Sequence, residues 1–485
     1  MFKEHPKGLI VLFFTEMWER FSYYGMRGIL ILYMVASVRD GGFGMDDTTA
    51  AAVYGLYTAL VYLLALPGGW IADRIVGQRD AVFYGGILIA AGNLSLASPV
   101  LREVFFPLGL VLIVVGTGLL KPNVSAIVGD LYPEKDAKRD AGFSIFYMGI
   151  NIGAFFGPLV CGFLGENINW HLGFLAAGIF MVLGLIQYKH NLKYFGDAGI
   201  LKIETVDEID KAKRNLNMGI IGLALLALFI YLVHDFGIVD ITLQGMAAAT
   251  GIIIVSLALL YFLYVLIFGH LNIVEKKRVI LIFFLFIGAA LFWSGFEQAG
   301  SSMNLFADRY TDRVFYDFEI PASWFLSVGA LLIIIFAPIF GALWVKLDKK
   351  NPTIPAKFGI GLILLGAGFV IMMWGSGFVK TDDLGVSPGW LISTYFLHTF
   401  GELCLSPVGL SSVTKLSPRP LVGQMMGTWF MGAALGNLIA GLVAGQFETL
   451  PLPELFGNVA YIALGAGVIF LLLTPFLRRM AGGIK

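Results

Sequence analysis

Two glutamates and two arginines lie close together in an apolar stretch near the start of the chain. The segment reads TEMWERFSYYGMR from residue 15, within an apolar run long enough to cross a bilayer. At about 100° per residue of an α-helix, one face carries Glu16, Glu19, Arg20, Tyr23 and Arg27. Ionised side chains inside a membrane cost roughly 2.5 to 3.5 kcal/mol each on insertion scales, and they mark ion or substrate paths. The stripe therefore indicates either a transport pathway or a clamp between helices.

Three more charged residues fall inside other predicted spans. Lys121 stands in GTGLLKPNVS, nine residues before Asp130 and therefore deep for a lysine that snorkels to the surface. Pro122 removes a helical hydrogen bond beside it and loosens the helix locally. Glu297 in FWSGFEQAGSS and Glu402 in HTFGELCLSPVG each stand beside Gly or Ser. These residues extend the charged set into the second half of the chain.

The intramembrane charges nearly balance. Four carboxylates (Glu16, Glu19, Glu297, Glu402) face three cations (Arg20, Arg27, Lys121), so a single proton would neutralise the set. A buried carboxylate can bind and release a proton during a transport cycle if its ion pair with a basic residue breaks and re-forms. The alternative is a static ion pair that holds helices together. His398, one turn before Glu402, is expected to be a hydrogen-bonded packing residue rather than a proton relay.

The composition identifies the elements that must position these charges. Of 485 residues, 58% are hydrophobic and 14% charged, and the mean hydropathy is +0.82, which is outside the range of ordinary soluble domains. About fourteen apolar runs can each cross the roughly 30 Å of hydrocarbon. The chain is therefore predicted to be an all-α membrane protein. Cys161 and Cys404 both fall in predicted spans, so we expect no structural disulfide.

Charge distribution predicts the topology. Most of the 33 Lys and Arg residues fall in the loops on one side, together with both termini, which the positive-inside rule assigns to the cytoplasm. The longest polar interruption follows the sixth span. The predicted units are a six-helix bundle, a cytoplasmic linker, two extra transmembrane helices and a second six-helix bundle, at residues 1–188, 189–216, 217–276 and 277–485.

Enzymatic and ATP-driven functions have no support in the sequence. Walker-type GxxxxGK[ST], HExxH, GxSxG and paired-cysteine metal motifs are absent, so we expect no enzyme, no metal site and no cofactor. Nothing points to nucleic acid. Energy would have to come from an ion gradient, because one charge crossing 100 mV releases about 2.3 kcal/mol.

At this point the motifs resemble a known family. TEMWERFSYYG is similar to the ExxERFxYYG signature of the proton-dependent oligopeptide transporters (POT family), and FSIFYMGINIGAFFGP from residue 143 is similar to their FYxxINxG signature. GTGLLKPNVS and GELCLSPVGLS resemble the family's fourth and tenth helices. The resemblance implies the major facilitator superfamily fold, in which two six-helix bundles rock about a midplane site. It also implies a bacterial symporter that imports di- and tripeptides with protons through the inner membrane, and we expect a monomer.

The resemblance implies roles for individual residues. Proton coupling would involve Glu16, Glu19, Arg20 and Glu297. Arg20 and Lys121 would face the peptide carboxylate, Glu402 the ammonium group, and Asn151 the peptide backbone. The remaining residues that would line the pocket are Tyr23, Tyr24, Tyr62, Ser406 and Trp429. The gating pairs would be Arg27 with Glu297 and Lys121 with Glu402.

One position departs from the family pattern. Gly329 stands in SVGALL where many relatives have Asn, so one backbone contact to the ligand is missing or replaced. Two other functions stay open. One is symport of nitrate or another small metabolite, which the intact ExxER trio disfavours. The other is a membrane sensor that binds peptide without moving it.

Overall fold

The protein is almost entirely helical. The structure is a computed structural model and describes residues 4–133, 138–201, 206–237, 240–379 and 385–482. Within these residues fourteen long helices follow one another: α1 Lys7–Val35, α2 Asp47–Val76, α3 Gln78–Leu96, α4 Arg102–Asp130, α5 Lys138–Asn167, α6 Trp170–His190, α7 Val206–Asp235, α8 Leu243–Phe268, α9 Ile273–Tyr310, α10 Phe325–Leu347, α11 Ile354–Ser376, α12 Gly389–Leu416, α13 Val422–Ala444 and α14 Leu452–Met480.

Two of these helices contain breaks, and short elements join several others. α2 consists of Asp47–Leu63, Ala65–Ile71 and a wide final turn, Ala72–Val76. α9 consists of Ile273–Phe296, a 3₁₀ turn Glu297–Gly300 and Ser302–Tyr310. Further 3₁₀ turns lie at Val38–Asp40, Leu192–Phe195, Ala322–Trp324, Asp348–Lys350 and Arg419–Leu421. Strands β1 Val314–Phe315 and β2 Phe318–Glu319 form a small antiparallel hairpin.

The helices agree with the apolar runs of the sequence. In the described part of the chain, eleven of the fourteen are long and apolar enough to cross a membrane by length and composition. The other three are α1, α3 and α12. α1 carries the Glu16, Glu19, Arg20 and Arg27 stripe, which lowers its hydropathy although most of its residues are buried. The charged side chains of α1 are therefore buried inside the protein. On an isolated helix in lipid the same charges would be costly.

The helices pack as two bundles, and the two extra helices, α7 and α8, pack differently from each other. In the first bundle α1 packs on α5 and α6, and α3 packs on α4 and α6; in the second, α11 packs on α12 and α14, and α13 packs on α9. The bundles meet where α2 packs on α13 and α5 packs on α10. α8 packs on α2 and α13, whereas the apolar part of α7 is exposed all round.

The linker predicted at residues 189–216 is partly helical. α7 already begins at Val206, eleven residues before the apolar run, because the polar residues that precede the run continue the same helix. Arg79 of α3 donates hydrogen bonds of 2.5 Å to the carbonyl oxygens of Gly196 and Ala198, which fastens the linker to the first bundle. The division of the chain into four units stays a prediction.

Small residues bring the charged face of α1 close to α5. A Cβ atom added at Gly153 would overlap the Met17 carbonyl oxygen and lie 2.8 Å from the Phe21 nitrogen. One added at Gly157 would lie 2.5 Å from the Phe21 carbonyl oxygen. Because these neighbours are backbone atoms, only glycine permits the approach.

The molecule has two distinct ends. We call one the hairpin end; it contains the β-hairpin and the loops at residues 36–46, 97–101, 168–169 and 445–451. We call the other the linker end; it contains the described parts of both termini, residues 191–201 of the linker, and the loops at residues 269–272 and 348–353.

Candidate transport site and gates

The stripe on α1 forms a buried ion cluster. The Arg20 Nε atom lies 2.7 Å from Glu16 Oε1, to which it donates a hydrogen bond, and 2.9 Å from Glu19 Oε2. All three residues are at most 4% exposed. Among the described residues, no hydrogen bond reaches the two terminal Nη atoms of Arg20. One guanidinium edge is therefore free to bind a ligand carboxylate in the bidentate manner typical of arginine.

Lys121 approaches this cluster from α4. Its Nζ atom lies 3.9 Å from the centroid of the Tyr62 ring on α2, a cation–π contact that holds the ammonium group on the first bundle. Lys121 is half-buried, and it forms no ion pair within 4 Å of a carboxylate in the described part of the chain. Tyr62 is therefore its cation–π partner, and no carboxylate among the described residues neutralises its charge by direct contact.

Arg27 and Glu297 join the two bundles. The Arg27 Nη2 atom is in direct contact with Glu297 Oε2, and both side chains are less than a tenth exposed. Arg27 Nε donates a 2.5 Å hydrogen bond to the Tyr54 hydroxyl of α2, and the Arg27 guanidinium lies 5.5 Å from the Tyr54 ring centroid. Glu297 begins the 3₁₀ turn of α9, and Gly300 at its end leaves room for the Tyr54 hydroxyl. The structure thus brings together one of the two predicted gating pairs.

The second predicted gating pair is apart. Glu402 is half-buried on α12, and its Oε2 atom is buried without a hydrogen-bond partner in the described structure. No ion pair within 4 Å links it to Lys121. An unpaired cation and an unpaired carboxylate therefore stand on opposite bundles.

The other predicted pocket residues differ in how accessible they are. Tyr24 is half-buried and its ring packs edge-on to Tyr23 at 5.2 Å between centroids, whereas Tyr23 is only 3% exposed. Asn151 donates a 2.9 Å hydrogen bond to the carbonyl oxygen of Tyr147. Ser406 is half-buried one turn after Glu402.

Trp429 is buried, as are the predicted pocket residues Arg20, Tyr23 and Asn151. It is 6% exposed, packs against Gly409 and contacts the Phe358 ring edge-on at 6.3 Å between centroids. His398 is 1% exposed, and its Nε2 atom lies 3.1 Å from the Leu365 carbonyl oxygen. This contact agrees with its expected packing role. Among the described residues, no group of three or more His, Cys, Asp or Glu side chains could hold a metal ion.

Several inter-bundle contacts have no clear signal in the sequence. Arg309 of α9 makes two hydrogen bonds of 2.6 and 2.7 Å to the Asp47 carboxylate of α2, and its Nη1 atom lies 3.5 Å from Glu448. Glu166 of α5 accepts hydrogen bonds from two backbone N–H groups before α10. These acidic and basic residues stand near span ends, where charge is common, so the sequence alone does not distinguish them. Tyr54 and the buried Lys357, which lies over the Trp344 ring, were likewise not predicted.

The contacts of Arg309 with Asp47 and of Glu166 with the start of α10 close the hairpin end. Asn304 of α9 donates a 2.7 Å hydrogen bond to Gly28 O of α1, and Thr48 of α2 donates one of 3.0 Å to Gly445 O. Lys121, Asn151 and Glu402 each have an exposed or half-buried neighbour one turn closer to the linker end. Ser125 is exposed, Tyr147 is 42% exposed and Ser406 is half-buried. These side chains are more exposed than Arg27 and Glu297, which join the two bundles.

Comparison with known proteins extends over the whole chain. The sequence model of the POT family, PTR2, matches residues 79–459. The peptide transporter YePEPT of Yersinia enterocolitica is 41% identical over 489 residues, covering 98% of this chain and 95% of that protein. A di-/tripeptide transporter of Lactococcus lactis subsp. cremoris is 34% identical over 488 residues, covering 99% and 97%. The crystal structure of a peptide transporter POT in complex with sulfate matches with a TM-score of 0.91 at 41% identity, covering 99% of this chain and 96% of that one.

Proposed function

Because the chain belongs to the POT family, we propose that it is a proton-coupled symporter that imports di- and tripeptides by alternating access. The family membership makes it a multi-pass membrane transporter of peptides and not an enzyme. It also confirms the prediction of an all-α membrane protein with the major facilitator type of fold. The proposal adds the driving ion, the peptide length and the roles of residues.

The observation that carries the proposal is the separation of unpaired charges. The free guanidinium edge of Arg20 and the ammonium of Lys121 belong to the first bundle, and the unpartnered carboxylate of Glu402 belongs to the second. A short peptide is a zwitterion whose ends are separated by about 3.3 to 3.6 Å per residue. We propose that its carboxylate binds Arg20 and Lys121 while its ammonium group binds Glu402.

The walls of the site suit varied peptide side chains. Tyr23, Tyr24 and Tyr62 provide aromatic surface with hydroxyl groups, and Asn151 and Ser406 provide hydrogen-bonding groups. Trp429 would line the second-bundle side. Such groups recognise the peptide backbone while they accept different side chains, because aromatic faces are not selective for one side-chain shape.

Proton coupling is proposed to pass through the buried carboxylates. Protonation of Glu297 would remove the charge that holds Arg27, and the two bundles could then separate at the hairpin end. Glu16 and Glu19 share Arg20 with the incoming peptide carboxylate, so peptide binding and proton binding on this cluster are linked. The gating pairs would alternate, with Arg27–Glu297 closing one side and Lys121–Glu402 the other.

The orientation and surroundings are proposals as well. The linker end, with both termini, would face the cytoplasm of a cell with an inner membrane. The protein would act as a monomer without a cofactor, using the proton gradient alone. Residues 1–188 and 277–485 would move as two bundles, with the linker 189–216 and the extra helices 217–276 between them.

Uptake into proteoliposomes tests the proposal. Acidifying the outside should raise accumulation of dialanine, and a protonophore that collapses the gradient should remove the increase. Uptake that is indifferent to the gradient would contradict proton coupling. Counterflow of labelled dialanine against an unlabelled pool separates a transporter from a peptide sensor, because a sensor gives no exchange. Competition by nitrate but not by peptides would point to another substrate.

A further inference from the structure

The two bundles are joined at the hairpin end by an unusual helix cap. Glu166 Oε2 accepts a 2.5 Å hydrogen bond from the backbone N–H of Ala322, and Glu166 Oε1 accepts one of 3.0 Å from that of Ser323. Ala322 and Ser323 begin the 3₁₀ turn that leads into α10. The first N–H groups of a helix have no partner within the helix, and they are usually satisfied by a side chain just before it. Here the cap comes from the other bundle.

The cap is suited to a carboxylate. Both oxygen atoms of Glu166 are used, and the N-terminal end of α10 carries partial positive charge that favours an anion. The nearby Arg313 is already engaged, because its Nη2 atom lies 3.1 Å from Asp308 and 2.9 Å from Glu319. The main partner of Glu166 is therefore the helix terminus and not an arginine.

Two further hydrogen bonds fix the position of α10 against α5; we call this contact between α5 and the start of α10 the seam. Trp324 Nε1 donates a 2.8 Å hydrogen bond to the Leu159 carbonyl oxygen, and Ser327 Oγ donates one of 2.7 Å to the Phe155 carbonyl oxygen. These two bonds use neutral groups that could re-form with water or with their own helix. Glu166 contributes the charged interaction of the seam, so its loss changes the free energy of closure most.

We propose that Glu166 is a releasable latch: its carboxylate holds the start of α10 when the hairpin end is closed and lets go when the bundles separate there. This inference rests on the proposed alternating access, in which the hairpin end opens, but not on peptide or proton as the cargo. Glu166 acts as a positioning residue, because it does not contact the transport site.

Distances between spin labels test the latch. Ile168 on the first bundle and Phe378 on the second are 57% and 63% exposed near the hairpin end. Both would be changed to cysteine for labelling, with Cys161 and Cys404 replaced by alanine. In proteoliposomes without peptide or gradient, Glu166→Gln should raise the fraction with long distances about tenfold, because an amide is uncharged and offers one acceptor oxygen where the carboxylate offers two.

Glu454→Gln is the matched control. Glu454 is an exposed acid in the first turn of α14, so it affects its own helix terminus without joining the bundles. Its distance distribution should equal that of the wild type. If Glu166→Gln and Glu454→Gln give the same distribution as the wild type, the latch is overturned. A merely structural role would lower the unfolding temperature of Glu166→Gln and leave the distances unchanged, which would also contradict the proposal.

A second variant breaks the same bond from the other bundle. Ala322→Pro removes the N–H group that Glu166 Oε2 accepts from, and Pro is well tolerated at the first position of a helix. It should lengthen the distances in the same direction even if Glu166→Gln does not fold. Because the measurement needs neither peptide nor gradient, failure of the latch and failure of the proposed symport give different results.

Discussion

The Arg27–Glu297 region and the Lys121–Glu402 region contain the same kind of chemistry in opposite states. Each has a cation on the first bundle and a glutamate on the second. Arg27 contacts Glu297 directly and is held by Tyr54, whereas Lys121 lies over Tyr62 and Glu402 has an unpartnered oxygen. The difference shows that an ion pair joins the bundles at Arg27 and Glu297, whereas none joins Lys121 and Glu402.

The two cations also differ in how firmly their partners hold them. The planar guanidinium of Arg27 binds Glu297 and Tyr54 at the same time, so it stays fixed while the pair is closed. The ammonium of Lys121 is a point charge on a flexible stem, and a cation–π contact with Tyr62 holds it more weakly. A ligand carboxylate can therefore compete for Lys121 more easily than for Arg27.

Glu297→Gln should have the largest effect. It leaves the buried charge of Arg27 without a counter-ion, and breaking such a pair costs about 3–5 kcal/mol. Each pH unit drives about tenfold accumulation per coupled proton, and the variant should lose this driving while it still exchanges peptide. The measurement compares gradient-driven uptake with counterflow in proteoliposomes. Normal accumulation by Glu297→Gln would mean that the closed pair is not a proton site.

Gly153→Ala tests how much the close packing of α1 on α5, which positions Arg27, contributes to stability. The added methyl group would overlap backbone atoms of α1 at Met17 and Phe21, so the variant should lose about 1–3 kcal/mol of stability. Thermal unfolding in detergent measures the loss. Gly465→Ala on α14 is the control, because nothing lies within 4 Å of the added Cβ atom and helix propensity alone should stabilise it slightly. Equal unfolding temperatures would show that α1 can move away from α5 without cost.

Lys121→Ala tests whether the unpaired cation of the second pair binds the peptide. Hydrogen bonds to charged groups are worth about 1.5–3 kcal/mol, so the dissociation constant for dialanine should rise at least about tenfold. Isothermal titration calorimetry measures the change. Lys357→Ala is the control, because Lys357 is buried over Trp344 within the second bundle. An affinity unchanged by Lys121→Ala would remove Lys121 from the peptide site.

Gly329→Asn is expected to have the smallest effect. A Cβ atom at Gly329 would meet only Thr399 Oγ1 at 3.8 Å, so there is room for a side chain beside α12. An added amide could bind the peptide backbone, which should tighten dialanine binding about threefold. Gly341→Asn, farther along α10 in open space, should leave the affinity unchanged. Weaker binding by Gly329→Asn would mean that the space is used by the peptide itself.

The sequence predicted local features of the site well. The 3.6-residue period placed Glu16, Glu19, Arg20, Tyr23 and Arg27 on one face, and the structure buries all five together. The apolar runs located all fourteen helices, because the thickness of the bilayer sets their minimum length. Sequence could not locate the Asp47–Arg309 contact or the Glu166 cap. These depend on which loop ends meet, and charge near the end of a span is too common to indicate a partner.

What the sequence determines by itself is the set of elements and the side chains that each one offers. Hydropathy and helical periodicity act over a few residues, so they are readable along the chain: a charged stripe on α1, a deep Lys121, and glutamates at positions 297 and 402. Only the tertiary structure decides which of these charges meet. Arg27 reaches Glu297 because α9 breaks at that residue and lies against α1 and α2, while Lys121 and Glu402 form no ion pair with each other. Ion pairing depends on distances of a few ångströms between distant segments, and those distances are set by the packing of whole bundles.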